Sequence, residues 1–205
     1  MSRNLIVVDT KKSRPRGRPR AFDPDAAVAT AQQLFHARSY DDVSVADITG
    51  TLGINPPSFY AAFGSKAELF GRVLDRYACD GAIPLRQLLD PARPVIDCLA
   101  AVLEEAACRY AGKSGASGCM VIEGVQSIDE DAKRAAMVFL VGAEAAIRDF
   151  VAARHPEAAD RVMDYMTTVM MGLSTNARRG HDHARLLESA RLAVGGLERA
   201  MAGPG

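Results

Sequence analysis

Residues 44–70 read SVADITGTLGINPPSFYAAFGSKAELF, and this stretch decides the fold class. Ser44, with Asp47 three residues on, forms a capping-box-like start, with Asp where Glu or Gln is the usual partner. Val45, Ile48 and Leu52 then fall on one face at helical spacing. Gly53 stops that helix, because glycine takes the left-handed conformation without steric cost. Asn55 can cap a following helix whose first two positions are Pro56 and Pro57, where no intrahelical N–H is needed. Phe59 and Phe63 sit four residues apart and point to one side, and Gly64 ends the helix. Ser65 caps the next one, with Glu68 completing its box.

Two short helices joined by a tight glycine turn make a helix-turn-helix. Its second helix is presented by its N-terminal end, a shape that fits a major groove. The outward face would hold Asn55, Pro56, Pro57, Ser58, Ala61 and Ala62. Asn55 and Ser58 can hydrogen-bond base edges, and the prolines and alanines can pack on thymine methyls. Tyr60 can donate to a phosphate, and Ser44 and Lys66 stand at helix starts, where backbone N–H groups favour phosphate. The same pattern also fits an ordinary helical corner.

Upstream, Asp23-Pro24 starts a helix that runs to about Ser39 and carries Ala27, Ala31, Leu34 and Phe35 on one face. Downstream, helical segments are predicted over 65–89, 93–112, 130–154, 157–179 and 182–202. Breaks fall at Pro91/Pro94, the Gly-Ser-rich stretch Gly112 to Gly118, His155-Pro156 and Gly180-His181. Val121-Ile122 is too short to assign, and no repeat or convincing strand pattern occurs. The expected fold is all-α.

The stretch from Phe22 to Phe70 resembles the DNA-binding domain of the tetracycline-repressor (TetR) family. The resemblance rests on Ala31, Leu34, Phe35, Tyr40, Val45, Ile48, Leu52-Gly53-Ile54, Phe59-Tyr60, Phe63, Lys66 and Leu69-Phe70. Thr49 stands where the family usually has alanine, and Ala61 where an aromatic or histidine is common. The resemblance implies about nine helices and a homodimer with two heads on a palindromic double-stranded operator. It further implies a C-terminal domain whose ligand weakens DNA binding, and in most members repression.

Composition agrees with a globular regulator. The 205 residues are 48% hydrophobic and 24% charged, and no apolar run is long enough for a membrane span. The run Leu5 to Val8 is too short for a signal-peptide core. Cys79, Cys98, Cys108 and Cys119 form neither a disulfide framework nor a CxxC pair, so the expectation is a reduced cytoplasmic protein without metal or cofactor. The zero net charge divides unevenly: residues 1–20 carry seven basic groups against Asp9, for a net +6, and the remainder carries −6. Residues 21–66 alone are −3, a poor balance for binding phosphates. The tail, expected to be a disordered basic arm, holds Pro15 to Pro19, which resembles an AT-hook core. Gly17 would approach the floor of a narrow minor groove while Arg16 and Arg18 lie along it. A nonspecific basic arm is the alternative.

The expected organisation is therefore the arm at 1–20, a head at 21–66, and a helical ligand-binding and dimerisation domain at 67–205. In the last, Val162, Met166, Val169 and Leu173, with Leu187, Ala190, Val194 and Leu197, form apolar stripes suited to a partner subunit or to the core. Met137, Met163, Met166 and Met170 could line an adaptable pocket for a small apolar or amphipathic effector, or fill the core. Cys119 follows the Gly-Ser-rich loop near a helix start. Helix N-termini favour reactive thiolates, so it is either a switch for oxidants or electrophiles or a small buried apolar residue. His181 and His183 lack a further convergent ligand and make a weak metal signal. Two other functions remain open at this point. One is a thiol-dependent enzyme using Cys119, although no base stands at a motif spacing; the other is a helical adaptor that does not bind DNA.

Overall fold

The computed structural model describes residues 23–112 and 116–202, and every regular element among them is a helix. Helices α1 (Pro24–Arg38), α2 (Val45–Leu52) and α3 (Pro56–Phe63) form the N-terminal head. Helix α4 (Lys66–Asp80) begins in the head and runs into the body. The body comprises α5 (Leu85–Leu88), α6 (Val95–Tyr110), α7 (Met120–Val125), α8 (Glu130–Ala152), α9 (Ala159–Arg178) and α10 (His183–Ala202).

Local chemistry sets the helix ends in the head. Asp23 accepts from the backbone N–H groups of Asp25 and Ala26, and Pro24 occupies the first position of α1. Ser44 and Asp47 close a reciprocal capping box on α2. The Ser44 hydroxyl and N–H, with the Arg38 guanidinium at 3.2 Å, hold the Asp47 carboxyl at a pKa of about 2. Gly53 ends α2 at φ +65°, in the left-handed region, and Asn55 caps α3 through the Ser58 N–H at 2.9 Å.

The head closes on an aromatic cluster. The Phe35, Tyr40 and Phe70 rings lie with centroids 4.8–5.6 Å apart, and Phe59 and Phe63 bring α3 onto the same core. All five are essentially inaccessible, and burial of each such side chain is worth about 1.5–3 kcal/mol. In the body, α6 packs on α9 and α10, and α8 packs on α4, α7 and α9.

Two segments differ from expectation. The helix expected over 65–89 stops at Asp80 and resumes only as the single turn α5. The Gly81 and Ala82 N–H groups both bond to the Tyr77 carbonyl, which closes the end of α4, and a Cβ at Gly81 would stand 2.4 Å from the Tyr77 ring; Pro84, with no N–H to continue that ladder, instead starts α5 through its carbonyl. Met120–Val125 is a helix, too short for periodicity to show. Its Gly124 lies where a Cβ would meet Ala136 Cβ at 2.6 Å and the Phe70 ring at 3.0 Å, so α7 is pressed between the head's core and α8.

Candidate nucleic-acid interface and sensor cavity

Helix α3 points two different faces in two directions. Phe59 and Phe63 are buried, while Asn55, Pro56, Pro57, Ser58, Tyr60 and Ala61 face solvent. Tyr60 is 52% exposed and lies edge-on against Phe59 at 5.3 Å. The side-chain oxygen of Asn55 is engaged in the cap, which leaves its amide NH2 as the donor toward a base edge. Ala62 is half-buried and contributes less to the outer face than its spacing suggested.

Ser44 and Lys66 sit differently from that face. The Ser44 hydroxyl belongs to the capping box, donating to Asp47 at 2.5 Å. The Lys66 ammonium donates to the carbonyls of Tyr40 at 3.1 Å and Val43 at 3.0 Å and lies 3.9 Å from the centre of the Tyr40 ring. Burial lowers its pKa, with Asp129 and Asp41 pulling the other way. The Lys66 ammonium thus ties the α1–α2 corner to α4, while the residue keeps its place at the N-terminal end of α4. Arg16, Gly17 and Arg18 lie outside the described residues.

Next to Lys66 the head is bolted to the body. Tyr40 Oη donates to Asp129 Oδ2 at 2.6 Å, and Asp129 caps α8 through the N–H groups of Asp131 and Ala132. Asp41 accepts from the Ser127 hydroxyl at 2.7 Å and from the Ile128 N–H at 3.2 Å. The Tyr40 hydroxyl, then the two backbone donors and Lys66, hold the Asp129 carboxyl below the usual range; burial of Tyr40 and its bond to Asp129 raise the phenol's pKa. A second tie joins His36 Nε2 of α1 to the Gly118 carbonyl at 3.1 Å, immediately before Cys119. Burial lowers the His36 pKa, opposed by that hydrogen bond and assisted by the Arg178 charge.

Between α4, α6, α7, α8 and α9 lies an apolar cavity of about 170 Å³. Of the five sensor residues expected from sequence, Cys119 and Met170 line it, joined by Met171. Met166 is fully buried elsewhere in the core, Met163 packs beside Thr167, and Met137 is 40% exposed on α8; none of these three faces the cavity. The Cys119 N–H donates to the Ser174 hydroxyl at 2.9 Å, and the Tyr77 hydroxyl reaches its sulfur at 3.8 Å. Tyr110 also hydrogen-bonds the thiol; burial first and Cys119 second push both phenols up. Among the described residues the side chains on this sulfur are thus two phenols.

Sequence reasoning missed Tyr77, Tyr110, Glu144 and Thr167 as cavity residues. The tyrosines occupy apolar stripes of their helices and read as core, and nothing local marks the other two. The stripes on α9 and α10 are also resolved: Val162, Met166, Leu173, Ala190 and Leu197 are buried within the subunit, and Val169, Leu187 and Val194 are half-buried. Leu192, 75% exposed, points outward from α10. Among the described residues no group of metal-ligating side chains converges, and no helix is long and apolar enough to cross a membrane.

A capped eight-residue helix with a polar, exposed N-terminal end, on a head clamped to a helical body with an apolar cavity, defines a class: a DNA-binding helix-turn-helix regulator of transcription. The chain belongs to the tetR family of bacterial regulatory proteins, whose family model matches residues 27–73. It is 51% identical over 187 residues to the HTH-type transcriptional repressor BdcR of Escherichia coli (strain K12), covering 91% of this chain and 95% of that one. It is 30% identical over 191 residues to the repressor ComR of the same strain, covering 88% and 90%. A solved structure of a cysteine mutant of the TetR family regulator CifR with 26-base-pair double-strand operator DNA matches with a TM-score of 0.76. That match has 29% sequence identity and covers 86% of this chain and 98% of that chain.

Proposed function

We propose that the protein is a cytoplasmic repressor that binds a palindromic operator as a homodimer and is released by an effector in its C-terminal domain. The observation that carries this reading is the exposed N-terminal end of α3, where Asn55, Pro56, Pro57, Ser58 and Tyr60 stand clear of the head's core. The names of the relatives BdcR and ComR support repression, and the operator complex of CifR supports a duplex as the partner. In the dimer, the outward faces of α9 and α10 would meet those of a second copy. Arg16, Gly17 and Arg18 would add minor-groove contacts that the acidic head cannot supply.

The effector would act through α4. This helix carries Lys66 beneath the head at one end and Tyr77 on the cavity wall toward the other. A small apolar molecule in the cavity, or an electrophile or oxidant on Cys119, would displace Tyr77 and with it the helix. Effector then lowers DNA affinity, and DNA lowers effector affinity by the same factor. Selection of bound duplexes from a random pool tests the reading. A palindromic motif with half-sites one helical turn or more apart is expected. Retention without sequence preference would leave only a basic tail at work and overturn it. Cys119→Ser tests the thiol arm: normal release from DNA under every oxidant and electrophile tried would discard it.

A further inference from the structure

We infer that the cavity selects a small apolar amine, whose ammonium is held by Glu144; the inference rests on the cavity being the effector site. The walls are aliphatic and aromatic, with Ile83, Leu140, Ile147 and Phe139 among them. Among the described residues Glu144 of α8 is the one charged side chain that lines the space. Thr167 Oγ1, from α9, donates to Glu144 Oε1 at 3.0 Å. A hydroxyl carries a single proton, so the second carboxylate oxygen keeps its acceptor capacity. Glu144 forms no ion pair among the described residues, and Arg148, one turn along α8, is engaged by Asp149 and Asp160. Glu144 is half-buried beside these apolar walls, so an entering cation would meet a carboxylate that none of the described residues neutralises.

The chemistry of the entrant follows. An ammonium brings three donors and forms a charge-assisted bond to the open oxygen. An alcohol brings one neutral donor, and a carboxylate brings repulsion. Phe139 lines the space and gives an apolar body an aromatic side chain to pack against. The volume of about 170 Å³ compares with a cavity of about 150 Å³ that accepts benzene, so one ring fills it. The thiol and the two phenols then lie against the apolar body, and this mode of binding needs no bond to Cys119.

The test uses the full-length protein and three probes on one carbon skeleton: benzylamine, benzyl alcohol and benzoate, titrated calorimetrically at neutral pH. Benzylamine is expected to bind about tenfold or more tightly than benzyl alcohol, and benzoate not to bind. Glu144→Gln, which keeps the shape and an acceptor for Thr167, should bring benzylamine to the level of the alcohol. Equal affinity of amine and alcohol for the parent, a comparison that needs no variant, overturns the proposal. So does an amine preference that survives Glu144→Gln. Ala143→Phe, which fills the cavity, separates the two levels. If benzyl alcohol binds the parent but not Ala143→Phe while no amine preference exists, Glu144 selectivity falls and the cavity reading stands. If no probe binds the parent, both fall.

Discussion

Replacing Tyr40 by Phe removes one oxygen from the joint between head and body and little else. The ring is 2% exposed and packs on Phe35 and Phe70 with Lys66 over its face, and all of that survives. What disappears is the 2.6 Å bond to the Asp129 carboxylate. A hydrogen bond to a charged group is worth about 1.5–3 kcal/mol. Asp129 is half-buried and retains two backbone donors from α8, so the value is discounted for solvent screening to about 1–2 kcal/mol. For a chain of this size that is a fall in Tm of about 2–8 °C. The pH dependence separates this bond from packing. Tyr40 holds the Asp129 pKa below its unfolded value of 3.8, so the stabilisation is complete above that value. It is lost as pH falls through the lower folded value. Thermal melts of parent and Tyr40→Phe from pH 7 downward should therefore converge in acid. Equal melting temperatures at pH 7, or a gap that persists undiminished in acid, would refute the reasoning.

Four further outcomes are expected. Gly124→Ala should cost about 1–3 kcal/mol by chemical denaturation, since its methyl would press on Ala136 and the Phe70 ring. Gly53→Ala meets open space but keeps φ at +65°, so backbone strain alone should cost about 1–2 kcal/mol by the same measurement. Burial lowers the His36 pKa from 6.5, so the fold resists protonating it, and stability should decline as pH falls below 6.5 toward the folded value. A His36→Gln variant should lose that part of the slope in melts between neutral and mildly acid pH. Removing residues 1–20 should flatten the dependence of log affinity on log salt by about 0.9 for each phosphate the arm neutralises; an unchanged slope in a duplex-binding titration would end the minor-groove proposal.

The head was legible because its boundaries are written in cap residues. Asp23, Ser44, Asn55 and Ser65 each accept from a backbone N–H two or three residues on, an interaction contained within four residues of sequence. Helix α7 was not legible, because six residues are under two turns and Gly124 interrupts their apolar pattern for the sake of contact with Phe70. The joint between head and body was hidden for another reason. Tyr40 and Asp129 are 89 positions apart, far beyond what local spacing can reveal. Lys66 stands out in the sequence for its place at a helix start, and nothing in the local spacing shows that its ammonium is held by the carbonyls of Tyr40 and Val43, 26 and 23 positions away. The cavity fared worst, since Tyr77 and Tyr110 differ from core residues only in where their hydroxyls point, a matter of packing between helices.

Helix α4 has a consequence for how the chain can vary. Eleven positions separate Lys66 from Tyr77, about 16 Å of unbroken helix. Each residue added or removed between them would turn one end about 100° relative to the other. A single insertion would swing the Tyr77 phenol off the Cys119 sulfur, or Lys66 off its two carbonyls, and the chain could not keep both. Side chains along the outer face of α4 are free to drift, but its length is not. In that sense the helix works as a gauge block: a ruler whose count of residues is the specification.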